Sequence, residues 1–202
     1  LHFKRQQMNI EQLTTRPDEV TVFPYHPDTP TFRYTYARYH DRMHAIDQAI
    51  GRVIQQLRDD GLMENTFIFY FGDHGGVLPR SKGYIYESGL HVPLVVHVPE
   101  KYRHLVSQQP GTRQDGFVQF VDFAPTVLNL AGVDIPKTMD GMPFLGPGVA
   151  VEEVEKREEA FGHADRFDEK YDLCRSLRKG KYKYIRNYHS YYPDGLQNNY
   201  RY

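Results

Sequence analysis

A chain of 202 residues has room for one domain, or for one domain and a small appendage. Hydrophobic residues make up 40% and charged residues 25%, and a formal net charge of -1 gives no global argument for binding nucleic acid or a membrane surface, leaving only local patches to weigh. No apolar run reaches the roughly 18 residues of a membrane span, Leu1 to Arg5 has neither the start nor the apolar core of a signal peptide, and the single Cys174 excludes an internal disulfide.

Residues 1–30 show little periodicity and carry Pro17, Pro24, Pro27 and Pro30, which predicts an extended approach segment. From Thr31 to about Asp60 the pattern changes. Tyr36, Tyr39, Met43, Ile46, Ile50, Val53 and Leu57 alternate spacings of three and four, one face of an α-helix. Thr29 and Pro30 suit the N-cap and first helical position, and Gly61 suits the residue past the end.

Thr66 to Phe71 is a run of β-branched and aromatic residues with no polar face, which predicts a strand buried on both sides in a mainly parallel sheet. Ligands collect at the carboxyl ends of such strands, where Asp73 and His74 stand, followed by Gly75 and Gly76. A second buried strand is expected over Val92 to Val98. The loop between them, 72–91, is long enough to be functional. Phe117 to Val121 reads as a further short strand and Asp122 to Gly132 as a helix, with the aspartate or its neighbour as cap.

The Gly/Pro-rich stretch from Gly141 to Gly148 marks a boundary. After an acidic run at 152–159, strands are expected at about 159–163, 172–178 and 181–187, with Lys179-Gly180 as a tight-turn signal. The expected organisation is an α/β piece over 1–150 and a small antiparallel subdomain over 151–202.

An Asp-His pair after a strand is more often turn chemistry than a metal site. Here, however, the following loop carries Arg80, Lys82 and Glu87 among several glycines. A metal and a lysine are the equipment for neutralising a tetrahedral oxyanion, the metal polarising one oxygen and the ammonium holding another. Sulfate and phosphate esters need that stabilisation.

The order of blocks resembles the type I sulfatases of the alkaline phosphatase superfamily. The resemblance rests on Ile46-Asp47, Gly51 to Ile54 and Leu57, then Asp73-His74-Gly75, then Lys82, Glu87 and Val92-Pro93-Leu94. It continues through Asp122, Pro125-Thr126 and Leu130 to Gly132, and ends in the hairpin Arg175 to Asn187. It covers about residues 17–188 and implies part of an alkaline-phosphatase-like, mainly parallel sheet flanked by helices, plus a small C-terminal antiparallel β subdomain.

The resemblance implies a hydrolase for sulfate esters, with Asp73 as a ligand of Ca²⁺ or Mg²⁺ and His74 on the metal or the sulfate. Calcium prefers oxygen ligands, so chemistry alone puts His74 on the sulfate or argues for a softer ion such as zinc. Lys82 matches the sulfate-holding lysine, which makes Lys82 and His74 the catalytic candidates. Arg80 and His91 are candidate substrate contacts, His91 standing where the family usually has Arg, and Glu87 is read as orienting. The Gly75 to Arg80 loop is similar to that of bacterial sulfatases acting on sulfated carbohydrates. By family analogy the setting is periplasmic, extracellular or lysosomal.

The family's nucleophile is a formylglycine made from Cys in Cys-x-(Pro/Ala)-x-Arg, with two further Asp ligands, and neither is found in these residues. Cys174-Arg175-Ser176-Leu177-Arg178 has Ser in place of Pro or Ala, which reads Cys174 as a packed cysteine. The chain is therefore expected to be the C-terminal portion of a sulfatase, inactive in isolation and needing an N-terminal sulfatase segment as partner. The alternatives are a metal-dependent phosphatase or phosphodiesterase of the same superfamily, usually a zinc enzyme, or an inactive carbohydrate-binding relative.

Two patterns imitate other functions. His40-Asp41-Arg42-Met43-His44 copies a zinc-protease helix with Asp for Glu, but both histidines lie well off the apolar stripe. The basic and aromatic residues from Arg175 to Tyr188 suit RNA, a sulfated sugar, or simply a hairpin with one solvated face. No nucleic-acid or membrane partner is expected.

Overall fold

The structure is a computed structural model that describes residues 10–167 and 170–191. They divide into two compact units, one of 10–66 with 72–92 and the other of 67–71 with 93–191.

The first unit is built on α1 (Pro30–Asp59), a 30-residue helix whose Thr29 hydroxyl accepts the Phe32 N–H and whose Pro30 lies in its first turn. Gly61 ends it in the left-handed region at φ 68°. Tyr36 and Ala37 pack with Val20 and Leu78, flanked by Leu13, Val22, Phe32 and Tyr39. Farther along, Met43, Ile46, Ile50 and Leu57 are only half-buried and Val53 is exposed. Asp41 is structural, because its carboxylate accepts the Thr14 and Thr15 amides at 2.8 Å and the Thr15 hydroxyl at 2.6 Å. His40 and His44 are exposed. The helix therefore carries no protease-like site, and Asp41 ties the approach segment to it. A single helical turn, α2 (Glu87–Leu90), closes the loop of this unit.

The second unit contains β1 (Ile68–Phe71) and β2 (Leu94–His97), which pair antiparallel with Phe69 opposite Val96. The expected mainly parallel sheet is not seen here: among the described residues every strand pairing is antiparallel. An apolar run records burial but not direction. Burial on both sides is likewise not seen within this unit. Phe69 and Val96 pack on a core of Val98, Phe144, Leu145 and Val154, while Tyr70 and Val95 on the opposite face are exposed. Only one face of this ribbon has a layer of side chains over it within the unit.

Phe117 to Val121 is not a strand. Gln119 and Asp122 form a reciprocal capping box around a short 3₁₀ turn at Phe120–Asp122, and those side-chain bonds outweigh the β propensity of the run. The turn leads into α3 (Phe123–Leu130), which ends before Gly132 at φ 70°. Asp122 is buried, and its carboxylate accepts the Gln119 and Met142 amides, each at 2.9 Å. Beneath it the Thr126 hydroxyl donates to the Asp122 carbonyl and accepts the Phe144 amide.

After α4 (Val151–Glu155), β3 (Glu159–Phe167), β4 (Lys170–Lys179) and β5 (Tyr182–Asn187) form an antiparallel sheet in the order β3-β4-β5. The tight turn is Gly180-Lys181, with Lys179 opposite Tyr182 and Gly180 at φ 51°. Cys174 is a partly buried cysteine, in no disulfide, in the central strand opposite Ala164 and Asn187. The basic residues have local partners. Arg175 pairs with Asp165 and Lys179 with Glu159, while Arg178 lies over Phe117 and Arg186 over Tyr188. No helix among the described residues is long and apolar enough to cross a membrane.

Candidate functional site

The sequence-predicted site residues all fall on 73–91, which is an ordered, self-bonded loop. The Gly75 amide donates to the Gly89 carbonyl at 2.9 Å, and the Gly76 carbonyl accepts the Leu78 and Lys82 amides at 2.8 and 3.0 Å. The Ser81 hydroxyl donates to the Ser88 carbonyl at 2.5 Å, and the Ser88 hydroxyl returns a bond to the Arg80 carbonyl at 2.6 Å. The glycines are required by close approach: a Cβ on Gly75 would lie 1.9 Å from the Ser88 carbonyl oxygen, and one on Gly76 would lie 2.5 Å from the Tyr39 hydroxyl. These bonds fix the backbone on both sides of Lys82.

Asp73 is highly exposed and His74 is half-exposed. The His74 Nδ1 lies 2.8 Å from the Gly75 carbonyl, which can only accept, so Nδ1 carries the proton. That leaves Nε2 facing Asp73 Oδ1 at 3.6 Å. A metal-bound histidine is commonly held in this way, with its second nitrogen donating to a carbonyl. The spacing is close to that of two neighbouring ligand atoms at about 2.4 Å from one ion. A second proton on Nε2 would instead close the pair as a salt bridge. Asp73 and His74 thus fit one side of a metal site, but among the described residues no group of three His, Cys, Asp or Glu side chains converges on an ion.

Arg80 is exposed and adopts φ 61°, and its guanidinium lies 4.4 Å from the Tyr86 ring centroid and 5.3 Å from that of Tyr25. His91 is exposed just past α2, and its amide donates to the Glu87 carbonyl. The structure therefore brings together Asp73 with His74, and Arg80 with two tyrosines.

Sequence reasoning missed the contribution of the approach segment. His26 is buried there, with Nε2 2.7 Å from the Pro79 carbonyl and Nδ1 2.7 Å from the Tyr36 hydroxyl. Burial pushes the Tyr36 hydroxyl above its ordinary range, while the Phe23 amide it accepts works in the opposite direction. Tyr36 therefore stays protonated and donates to His26. The only signal in the sequence is the aromatic density around Pro24-Tyr25-His26-Pro27.

Comparison with known proteins bears directly on this loop. The family profile described as Sulfatase matches residues 7–133, and that described as N-sulphoglucosamine sulphohydrolase, C-terminal, matches 72–196. An ulvan-active sulfatase of Formosa agariphila is 38% identical over 179 residues, covering 88% of this chain and 28% of that protein. Human N-sulphoglucosamine sulphohydrolase is 29% identical over 59% of the chain and 23% of its own length. Bovine N-acetylglucosamine-6-sulfatase is 34% identical over 50% of the chain and 18% of its own length. The chain thus spans under a third of each of these relatives. With the Asp73-His74 corner and the Lys82 loop inside both matched regions, the chain belongs to the sulfatase family.

Proposed function

We propose that the complete protein hydrolyses sulfate esters, those of sulfated carbohydrates in particular, and that this chain furnishes one side of its active site. The observation that carries the reading is the Asp73–His74 pair on the same self-bonded loop as Lys82, in a chain of the sulfatase family. The carbohydrate names of the three relatives support the substrate class.

In this reading Asp73, and His74 through Nε2, would hold a Ca²⁺ or Mg²⁺ ion, which would supply Lewis-acid polarisation of a sulfate oxygen. A formylglycine contributed from outside these 202 residues supplies the nucleophile. The Lys82 ammonium holds a second sulfate oxygen, stabilising the charge that grows as the S–O bond breaks. A rigid backbone around Lys82 serves this role because the donor need not reorganise during reaction. Arg80 and His91 contact the rest of the substrate. We assign residues 1–150 to the α/β catalytic domain and 151–202 to the appended antiparallel subdomain, with 1–9, 168–169 and 192–202 lying outside the described residues.

The test is turnover by the full-length protein of an aryl sulfate and the matching aryl phosphate, with and without a chelator. The reading expects faster sulfate hydrolysis that is lost on chelation. Faster phosphate hydrolysis would transfer the site to phosphatase chemistry, and no hydrolysis of either would leave a non-catalytic relative.

A further inference from the structure

Asp73 and Arg80 carry opposite charges on one short loop, yet they do not pair. Asp73 is in salt-bridge reach of His74, and Arg80 is committed to the Tyr86 and Tyr25 rings. A guanidinium with its face against aromatic rings keeps its planar edge of N–H donors for a ligand. Among the described residues no acceptor takes a hydrogen bond from that edge.

The rings are themselves held. Tyr86 stacks on Tyr84 with centroids 5.8 Å apart, and Tyr25 stacks on Phe23 at 5.4 Å and meets His26 edge-on at 4.6 Å. The backbone beneath Arg80 is fixed from the other side. The Pro79 carbonyl can only accept, so His26 Nε2 carries the proton it receives, and Nδ1 accepts from Tyr36. One imidazole therefore links α1 to Pro79, the residue before Arg80, and Arg80 itself takes a left-handed φ of 61°.

We infer that Tyr25, Arg80 and Tyr86 form a subsite for an anionic substituent, carboxylate or sulfate, on a sugar residue adjoining the one that bears the scissile ester. His26 is its positioning residue. The inference rests on the proposed sulfatase reading and assigns Arg80 to a second anion, leaving the scissile sulfate to Lys82. A planar donor edge suits bidentate recognition of either anion. Ring contact prevents the long side chain from collapsing onto Asp73.

The test compares kcat/KM of the full-length protein on an aryl sulfate, which has one anion, and on a sulfated oligosaccharide with a uronate beside the sulfated residue. The carboxyl-reduced form of that oligosaccharide serves as control. Arg80→Gln should lower the oligosaccharide-to-aryl-sulfate ratio about 10- to 100-fold, mostly through KM, with a much smaller change in the ratio for the reduced form. An equal loss on the carboxyl-reduced form would overturn the anionic subsite where the scissile sulfate is the only one, and would mean that Arg80 reads a sulfate where a second sulfate adjoins it. His26→Leu should reproduce the Arg80→Gln pattern, and His26→Gln, which keeps a donor for the Pro79 carbonyl, should recover most of the loss. Equal losses on aryl sulfate and oligosaccharide, or none on either, would overturn the subsite. If the wild type hydrolyses neither substrate, the sulfatase reading fails separately. Equilibrium binding of the oligosaccharide to wild type and Arg80→Gln then decides the subsite, and equal affinity would refute it.

Discussion

Nε2 of His74 stands 3.6 Å from Oδ1 of Asp73 because its other nitrogen is tied to the Gly75 carbonyl. Two candidate ligand atoms are thereby held close together without either being buried. In the full-length protein, Asp73→Asn should weaken Ca²⁺ or Mg²⁺ binding by at least about tenfold, since a carboxylate is the stronger partner of a hard cation. Calorimetric titration with each ion checks this. Unchanged affinity would reduce the pair to an ion pair at a turn.

The closed loop predicts opposite outcomes for the same substitution at two glycines. Gly75→Ala places a methyl 1.9 Å from the Ser88 carbonyl oxygen and must open the loop, at a cost of about 2 kcal/mol or more. Gly51 lies within α1, and a methyl added there would meet nothing within 4 Å. Gly51→Ala should therefore stabilise by about 0.5–1 kcal/mol through helix propensity. Thermal unfolding of the two variants beside wild type reads both signs.

Several elements were legible because their signals are local. Thr29, Pro30 and Gly61 bound α1 as expected, and the C-terminal hairpin stands where the pattern placed it. The antiparallel direction of β1 and β2 was not legible, because an apolar run looks the same in either orientation. Nor was the role of His26, whose partner Pro79 lies 53 residues away, beyond any periodicity. At Gln119 and Asp122, reciprocal side-chain bonds overrode a run of good strand formers.

Asp41 should make stability depend on acid. Burial works against its ionised form, but the Thr15 hydroxyl and the Thr14 and Thr15 amides, with His40 beside it, together hold its carboxyl below the ordinary range. A carboxyl depressed in the folded state contributes stability above its unfolded value, about 3.9, and loses it as pH falls through the folded value. Urea unfolding should find Asp41→Asn less stable than wild type at pH 7, with the gap narrowing below about pH 4. A gap that stays constant with pH would contradict this.

The buried Thr126 should be intolerant of its isostere. Its hydroxyl both donates to the Asp122 carbonyl and accepts the Phe144 amide, so Thr126→Val leaves an amide and a carbonyl short of a partner. The expected loss is about 1–3 kcal/mol in chemical denaturation. A neutral effect would mean that these groups find other partners.

The most direct test of the central claim is to measure turnover of an aryl sulfate and bound divalent ion in the same samples of full-length wild type and Lys82→Ala. If Lys82 holds the sulfate, turnover should fall by about 100-fold or more while metal content stays at the wild-type level. Wild-type turnover in Lys82→Ala would contradict the assignment of this loop to sulfate ester chemistry.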